Sequence, residues 1–204
     1  MNDIKKEREL VWVQILYLYL IPIMLLFYKV LPSYSRIPLL FIVALFIYGI
    51  TRYEKWTTRD FGIQKNWKKY FWPYFLFTVV GFLFLLVIEE IDIAKPMLSW
   101  WTNTRFLLLF IPISFLQELI FRGVLMNMLR KVFTSKWFII LLNASVFALM
   151  HIIYLHAYFT LPLTFVAGIG FAWIYYKYPN LVLISIAHTI LNFTGMILGF
   201  FVIR

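Results

Sequence analysis

Three short polar constellations interrupt otherwise apolar stretches of this chain: Gln117-Glu118-Leu119-Ile120-Phe121-Arg122-Gly123, Phe147-Ala148-Leu149-Met150-His151 and His188-Thr189-Ile190-Leu191-Asn192. A carboxylate, a guanidinium and two imidazoles are costly at bilayer depth, where they normally face a bundle interior or a wet cavity. On a helix, residues four apart share a face, so Glu118 with Arg122, Phe147 with His151, and His188 with Asn192 each define one stripe. Taken singly, Glu118 and Arg122 read as a mutually neutralising ion pair, and either histidine as a hydrogen-bonded interior residue. Their conjunction with Asn192, whose amide can donate to a developing oxyanion, points to chemistry. Buried Glu118, His151 and His188 would also suit a transporter or proton relay, but no inverted repeat or discontinuous helix supports that class.

The elements that must position these groups are membrane spans. Of 204 residues, 63% are hydrophobic, 21% aromatic and only 14% charged, more apolar surface than a soluble domain of this size can hide. Apolar runs long enough to cross roughly 30 Å of hydrocarbon predict seven helices near 10–30, 37–50, 71–90, 105–128, 136–156, 158–176 and 180–202. The fold class expected is an all-α polytopic transmembrane helical bundle, a single membrane domain over 1–204. Counted from the helix ends near Arg130, Lys136 and Pro179, the polar groups fall at roughly 12 to 22 Å depth, so Glu118, Arg122, His151, His188 and Asn192 are expected to line one cavity. Glu118 is the one acid well inside a span, because Glu89, Glu90 and Asp92 cluster at the end of the third.

Charge sets the orientation. Lys5, Lys6, Arg8, Arg52, Lys55, Arg59, Lys65, Lys68, Lys69, Arg130, Lys131, Lys136 and Lys177 fall on one side, against Lys29, Arg36, Lys95, Arg105 and Arg204 on the other. The positive-inside rule then predicts a cytoplasmic N-terminus and an external C-terminus. The first span is too long for a signal h-region and lacks a small-x-small cleavage site, so it is expected to remain as a helix. The net charge of +10 is sorted by loop instead of gathered in a patch, which gives no support to nucleic-acid binding. Thr51 to Tyr70, with six basic residues among Trp56, Phe61, Ile63 and Trp67, reads as a cytoplasmic interfacial segment. Cysteine is absent, which removes disulfides and thiol nucleophiles. Ser114 and Ser185 lack a Gly-x-Ser-x-Gly turn.

In these three constellations the chain resembles the CAAX prenyl protease type II and bacteriocin-processing (CPBP, or Abi) family of intramembrane proteases. The family pattern is Glu-Glu-x-x-x-Arg, then Phe-x-x-x-His, then His-x-x-x-Asn; here stand Gln117-Glu118-x-x-x-Arg122, Phe147-x-x-x-His151 and His188-x-x-x-Asn192, over about 105–195. The resemblance implies peptide hydrolysis by an activated water near the cytoplasmic side, with His151 orienting and deprotonating water, His188 and Asn192 polarising the scissile carbonyl, and Arg122 holding Glu118. It implies no obligatory metal. One carboxylate and two histidines could complete a zinc set, but His-Glu-x-x-His is absent, and no cofactor is expected. Partners expected are a peptide or membrane-protein substrate and the lipid bilayer, in a bacterial plasma membrane.

Gln117 departs from the family pattern, which places its water-activating glutamate there. An amide can hydrogen-bond water but cannot take its proton. A positioned general base contributes about 10²- to 10⁴-fold, so slow hydrolysis survives if His151 serves as base, since imidazole titrates near neutrality, or if a modest rotation or a broken Arg122 pair brings Glu118, which points about 100° away on the helix, to the water. The remaining alternative is a catalytically impaired membrane scaffold or bacteriocin self-immunity protein.

Overall fold

The structure, a computed structural model, describes residues 2–64, 67–89, 96, 102 and 104–201. Glu90, Asp92, Lys65, Lys95 and Arg204 from the charge pattern lie outside the described residues. Among the described residues nine α-helical segments follow in order: α1 (Asn2–Ile15), α2 (Ile21–Phe27), α3 (Arg36–Tyr53), α4 (Trp67–Glu89), α5 (Thr104–Glu118), α6 (Met126–Val132), α7 (Lys136–Leu149), α8 (Ala157–Lys177) and α9 (Leu181–Ile197). Wide π-helical turns at Leu16–Leu20 and Leu119–Leu125 fuse α1 to α2 and α5 to α6. Among the described residues, six stretches are long and apolar enough to cross a membrane, and Leu181–Ile197 adds a shorter seventh. This is an all-helical bundle, as the composition predicts.

The last helix is shorter than the 180–202 expected. Gly199 takes a left-handed φ of 82°. Phe200 N–H donates to the Gly195 carbonyl at 3.0 Å and Gly199 N–H to that of Met196 at 3.0 Å. These are the paired bonds of a Schellman stop, which a glycine just past a helix end makes cheap. The chain then folds back so that Phe201 lies 5.7 Å from the ring of His151. The fifth span ends early too: after Leu149 it tightens into a 3₁₀ turn, Met150–Ile153, that carries His151.

One end of the bundle gathers the basic residues. There Arg8 donates to the Val132 carbonyl at 3.2 Å, Arg130 to that of Tyr176 at 2.6 Å, and Lys131 pairs with Glu54 at 2.7 Å. The polar segment after α3 is docked onto this end: Asn127 Nδ2 donates to the Asp60 carbonyl, Tyr175 donates to that of Phe61 at 3.0 Å, and Leu181 N–H to that of Gly62 at 2.9 Å. The opposite end carries the α2–α3 turn, Tyr154 and Gly199. Large side chains such as Leu45, Trp72 and Leu108 remain exposed, the surface a bilayer would cover. Inside, one contiguous core runs from Val11 to Phe200.

Candidate active site

A wide turn in apolar surroundings has to dispose of the carbonyls it frees from the α-helical ladder. In Leu119–Leu125 three side chains do so. Tyr19 Oη donates to the Ile120 carbonyl at 3.0 Å, Asn143 Nδ2 to that of Phe121 at 2.8 Å, and Asn127 Nδ2 to that of Gly123 at 3.1 Å. Short π segments recur at functional sites, and this one begins directly after Glu118 and contains Arg122.

Glu118 and Arg122 are wholly buried. Arg122 Nη1 donates to Glu118 Oε1 at 3.0 Å, and the same oxygen accepts from His188 Nδ1 at 2.5 Å. This shared oxygen ties α5 to α9. The guanidinium carbon stands 4.2 Å from the ring centroid of Phe147 and 5.3 Å from that of Phe171, so aromatic faces supply part of the solvation that water no longer gives. Glu118 Oε2, Arg122 Nε and Arg122 Nη2 have no partner among the described residues. The pair is shielded from bulk solvent.

The Phe147 ring is 5.1 Å from that of His151 and 5.7 Å from that of His188, and so touches both histidines. His151 Nδ1 lies 3.1 Å from the Phe147 carbonyl. A carbonyl only accepts, so Nδ1 carries the proton, and the neutral ring keeps its lone pair on Nε2.

His151, Gln117 and Asn192 line a cavity of about 470 Å³, together with Ser114, Tyr154 and apolar side chains of the first three helices. Its size falls in the ordinary range for a ligand site, about 300–1,000 Å³. Gln117 Oε1 and Ser114 Oγ are buried without a partner among the described residues, acceptors suited to an ordered water.

Of the five groups expected to line one cavity, His151 and Asn192 border this one, whereas Glu118, Arg122 and His188 form a buried clamp outside its lining. The cavity reaches Leu26, Tyr34, Arg36 and Tyr154 and lies in the half of the bundle away from the basic end, not near it. Sequence reasoning missed Ser114, Tyr154, Tyr34 and Arg36 as lining residues; a tyrosine three positions after His151 and a lone cation in a short turn were the available signals. As to metal, among the described residues no three His, Cys, Asp or Glu side chains gather in a group that could hold an ion.

The fold and site define a helical membrane protein with a few polar side chains inside a largely apolar cavity. Residues 99–194 match the family model of the Type II CAAX prenyl endopeptidase Rce1-like proteins, and the matched segment contains every site residue expected from the sequence, Gln117, Glu118, Arg122, His151, His188 and Asn192. The chain is similar over that segment to a family of CAAX-type endopeptidases. No curated protein and no solved structure matches the chain.

Proposed function

We propose that this chain is an intramembrane endopeptidase that hydrolyses a peptide or membrane-protein substrate with a water bound between Gln117 and His151. The observation that supports this reading is the shared cavity: Gln117, His151 and Asn192 line it together, with Gln117 Oε1 buried and unpartnered among the described residues. Gln117 Oε1 accepts a hydrogen bond from the water and orients it. His151 Nε2 takes the water's proton as the oxygen bonds to the scissile carbonyl carbon, and Asn192 Nδ2 donates to the resulting oxyanion. His151 then returns the proton to the amine nitrogen as the carbon–nitrogen bond breaks, leaving a carboxyl and an amine. Glu118, Arg122 and His188 hold the helices that carry these groups. No metal or cofactor enters these steps.

The orientation belongs to the same proposal. With the end that carries Arg8, Arg130 and Lys131 in the cytoplasm, the N-terminus is cytoplasmic, the C-terminus is external, and the cavity lies in the outer half of a bacterial plasma membrane. A retained site without turnover is the second reading, favoured by Gln117, whose amide cannot serve as a base.

Purified protein in lipid with a panel of labelled membrane-anchored peptides tests both. Cleavage that falls by about 10²-fold or more in His151→Ala and rises in Gln117→Glu supports the protease. Cleavage that appears only in Gln117→Glu supports a binding or scaffold role, and cleavage unaffected by His151→Ala refutes the mechanism.

A further inference from the structure

A hydroxyl inside an apolar helix bundle ordinarily donates to a carbonyl one turn back in its own helix, which offsets the cost of hiding it. Thr78, Ser145, Thr164, Ser185, Thr189 and Thr194 all do so here, at 2.6 to 2.9 Å. Ser114 does not. It has no exposed surface, and its Oγ has no partner among the described residues. Ser114 instead lines the cavity with Gln117, three positions on and so on the same face of α5. Gln117 Oε1 is likewise buried and unpartnered among the described residues. Apolar side chains, among them Ile23, Leu40 and Ile113, make up most of the surrounding wall. A polar atom hidden without a partner costs stability, and here two of them stand one turn apart in the cavity that His151 also lines.

We infer that Ser114 is a further catalytic residue, whose hydroxyl donates to the oxygen of the water that attacks the scissile carbonyl. The inference rests on the hydrolytic reading of the cavity and adds a third group to those that hold its nucleophile. A water molecule has two O–H bonds and two lone pairs. Gln117 Oε1 and the Nε2 lone pair of His151 are both acceptors, so together they take both O–H bonds and leave the water free to swing about the line joining them. A donor on one lone pair removes that last rotation and turns the other towards the carbonyl carbon. With both water protons committed, the Ser114 hydroxyl takes the donor role that it can adopt by rotating. During attack one water proton passes to His151 Nε2 as the oxygen–carbon bond forms. Ser114 keeps its own proton throughout. The amide at position 117 gives this contact its weight, because it holds the water without the charge that makes a carboxylate a strong acceptor.

The test uses the full chain in nanodiscs of zwitterionic lipid. Wild type, Ser114→Ala, Ser114→Thr, Gln117→Glu and the double variant Gln117→Glu/Ser114→Ala are compared by cleavage kinetics on labelled membrane-anchored peptides and by thermal unfolding. Ser114→Ala deletes a hydroxyl that nothing satisfies, so it is expected to unfold at the wild-type temperature or above. It is nevertheless expected to lose about three- to tenfold in kcat with KM unchanged, the scale of one neutral hydrogen bond. Ser114→Thr keeps a hydroxyl and is expected to retain most of kcat. A lower unfolding temperature for Ser114→Ala reveals a hydroxyl bonded within the protein and overturns the inference, whether or not the protein is a protease. Full activity in Ser114→Ala, a loss that falls on KM alone, or an equal loss in folded Ser114→Thr overturns the role of Ser114 and keeps hydrolysis. If Gln117→Glu cleaves where the wild type does not, the double variant carries the test, and its kcat is expected to fall by the same factor. No cleavage by wild type or Gln117→Glu overturns the hydrolytic reading and, with it, the catalytic role of Ser114.

Discussion

Replacing Arg122 by methionine isolates what the buried clamp contributes. The guanidinium is wholly buried, pairs with Glu118 at 3.0 Å and lies 4.2 Å from the Phe147 ring. Arg122→Met keeps much of the side-chain volume, so the cavity term is small. It leaves Glu118, also wholly buried, with His188 as its remaining donor. Deleting one partner of a buried ion pair costs about 3–5 kcal/mol, because the survivor is stranded in low dielectric. The expected loss is in that range, a large share of a typical 5–15 kcal/mol stability. The double variant Glu118→Gln/Arg122→Met removes both charges and leaves an amide oxygen for His188 Nδ1–H. It is expected to recover about 1–3 kcal/mol relative to the sum of the single variants, the usual coupling within one network. Reversible unfolding in mixed micelles, followed by tryptophan fluorescence, measures all three proteins. A loss below about 1 kcal/mol for Arg122→Met, or strict additivity in the double variant, would refute the clamp as a coupled unit.

Two further outcomes follow from neighbouring contacts. Asn143→Ala deletes the donor that satisfies the Phe121 carbonyl in the wide turn and is expected to cost about 1–3 kcal/mol, read from the same unfolding assay. A loss of a few tenths would show that the carbonyl finds another donor. At the basic end, Asp60 is held below the ordinary carboxylate range, first by the Thr57 backbone N–H and then by the Thr57 hydroxyl. A depressed folded pKa stabilises fully above the unfolded value, about 3.9, and that contribution is lost as pH falls through the folded value. Proteolysis of the 54–64 segment should therefore accelerate on acidification below about pH 4 in the wild type, and Asp60→Asn should flatten that profile.

The sequence made the bundle legible because lipid imposes one length scale: runs such as 71–90 and 158–176 are apolar over the distance a helix needs. The Glu118–Arg122 pairing was legible for a similar reason, since four-residue spacing is local geometry. The bridge from Glu118 to His188 was not, because it depends on how α9 packs against α5, and no local pattern encodes that. Nor was the wide turn at Leu119–Leu125. Its stabilisers, Tyr19 and Asn143, lie on other segments and look like ordinary helix residues until the carbonyls they serve are in place. Gly199 was readable as a stop. A helix running to 202 overlooked the ease with which glycine adopts positive φ.

The cavity wall has two origins in the chain. Gln117, His151 and Asn192 come from the matched segment 99–194, while Ile23, Arg36, Leu40 and Val43 come from the first helices. The two parts of the lining thus come from separate stretches of the chain. The opening helices can change at Ile23, Leu40 and Val43, altering the depth and taper of the cavity, provided that Tyr19, which holds the wide turn through the Ile120 carbonyl, is kept. Grafting different N-terminal helices that retain Tyr19 onto residues 99–194 would be the direct way to reshape the cavity while keeping its polar groups.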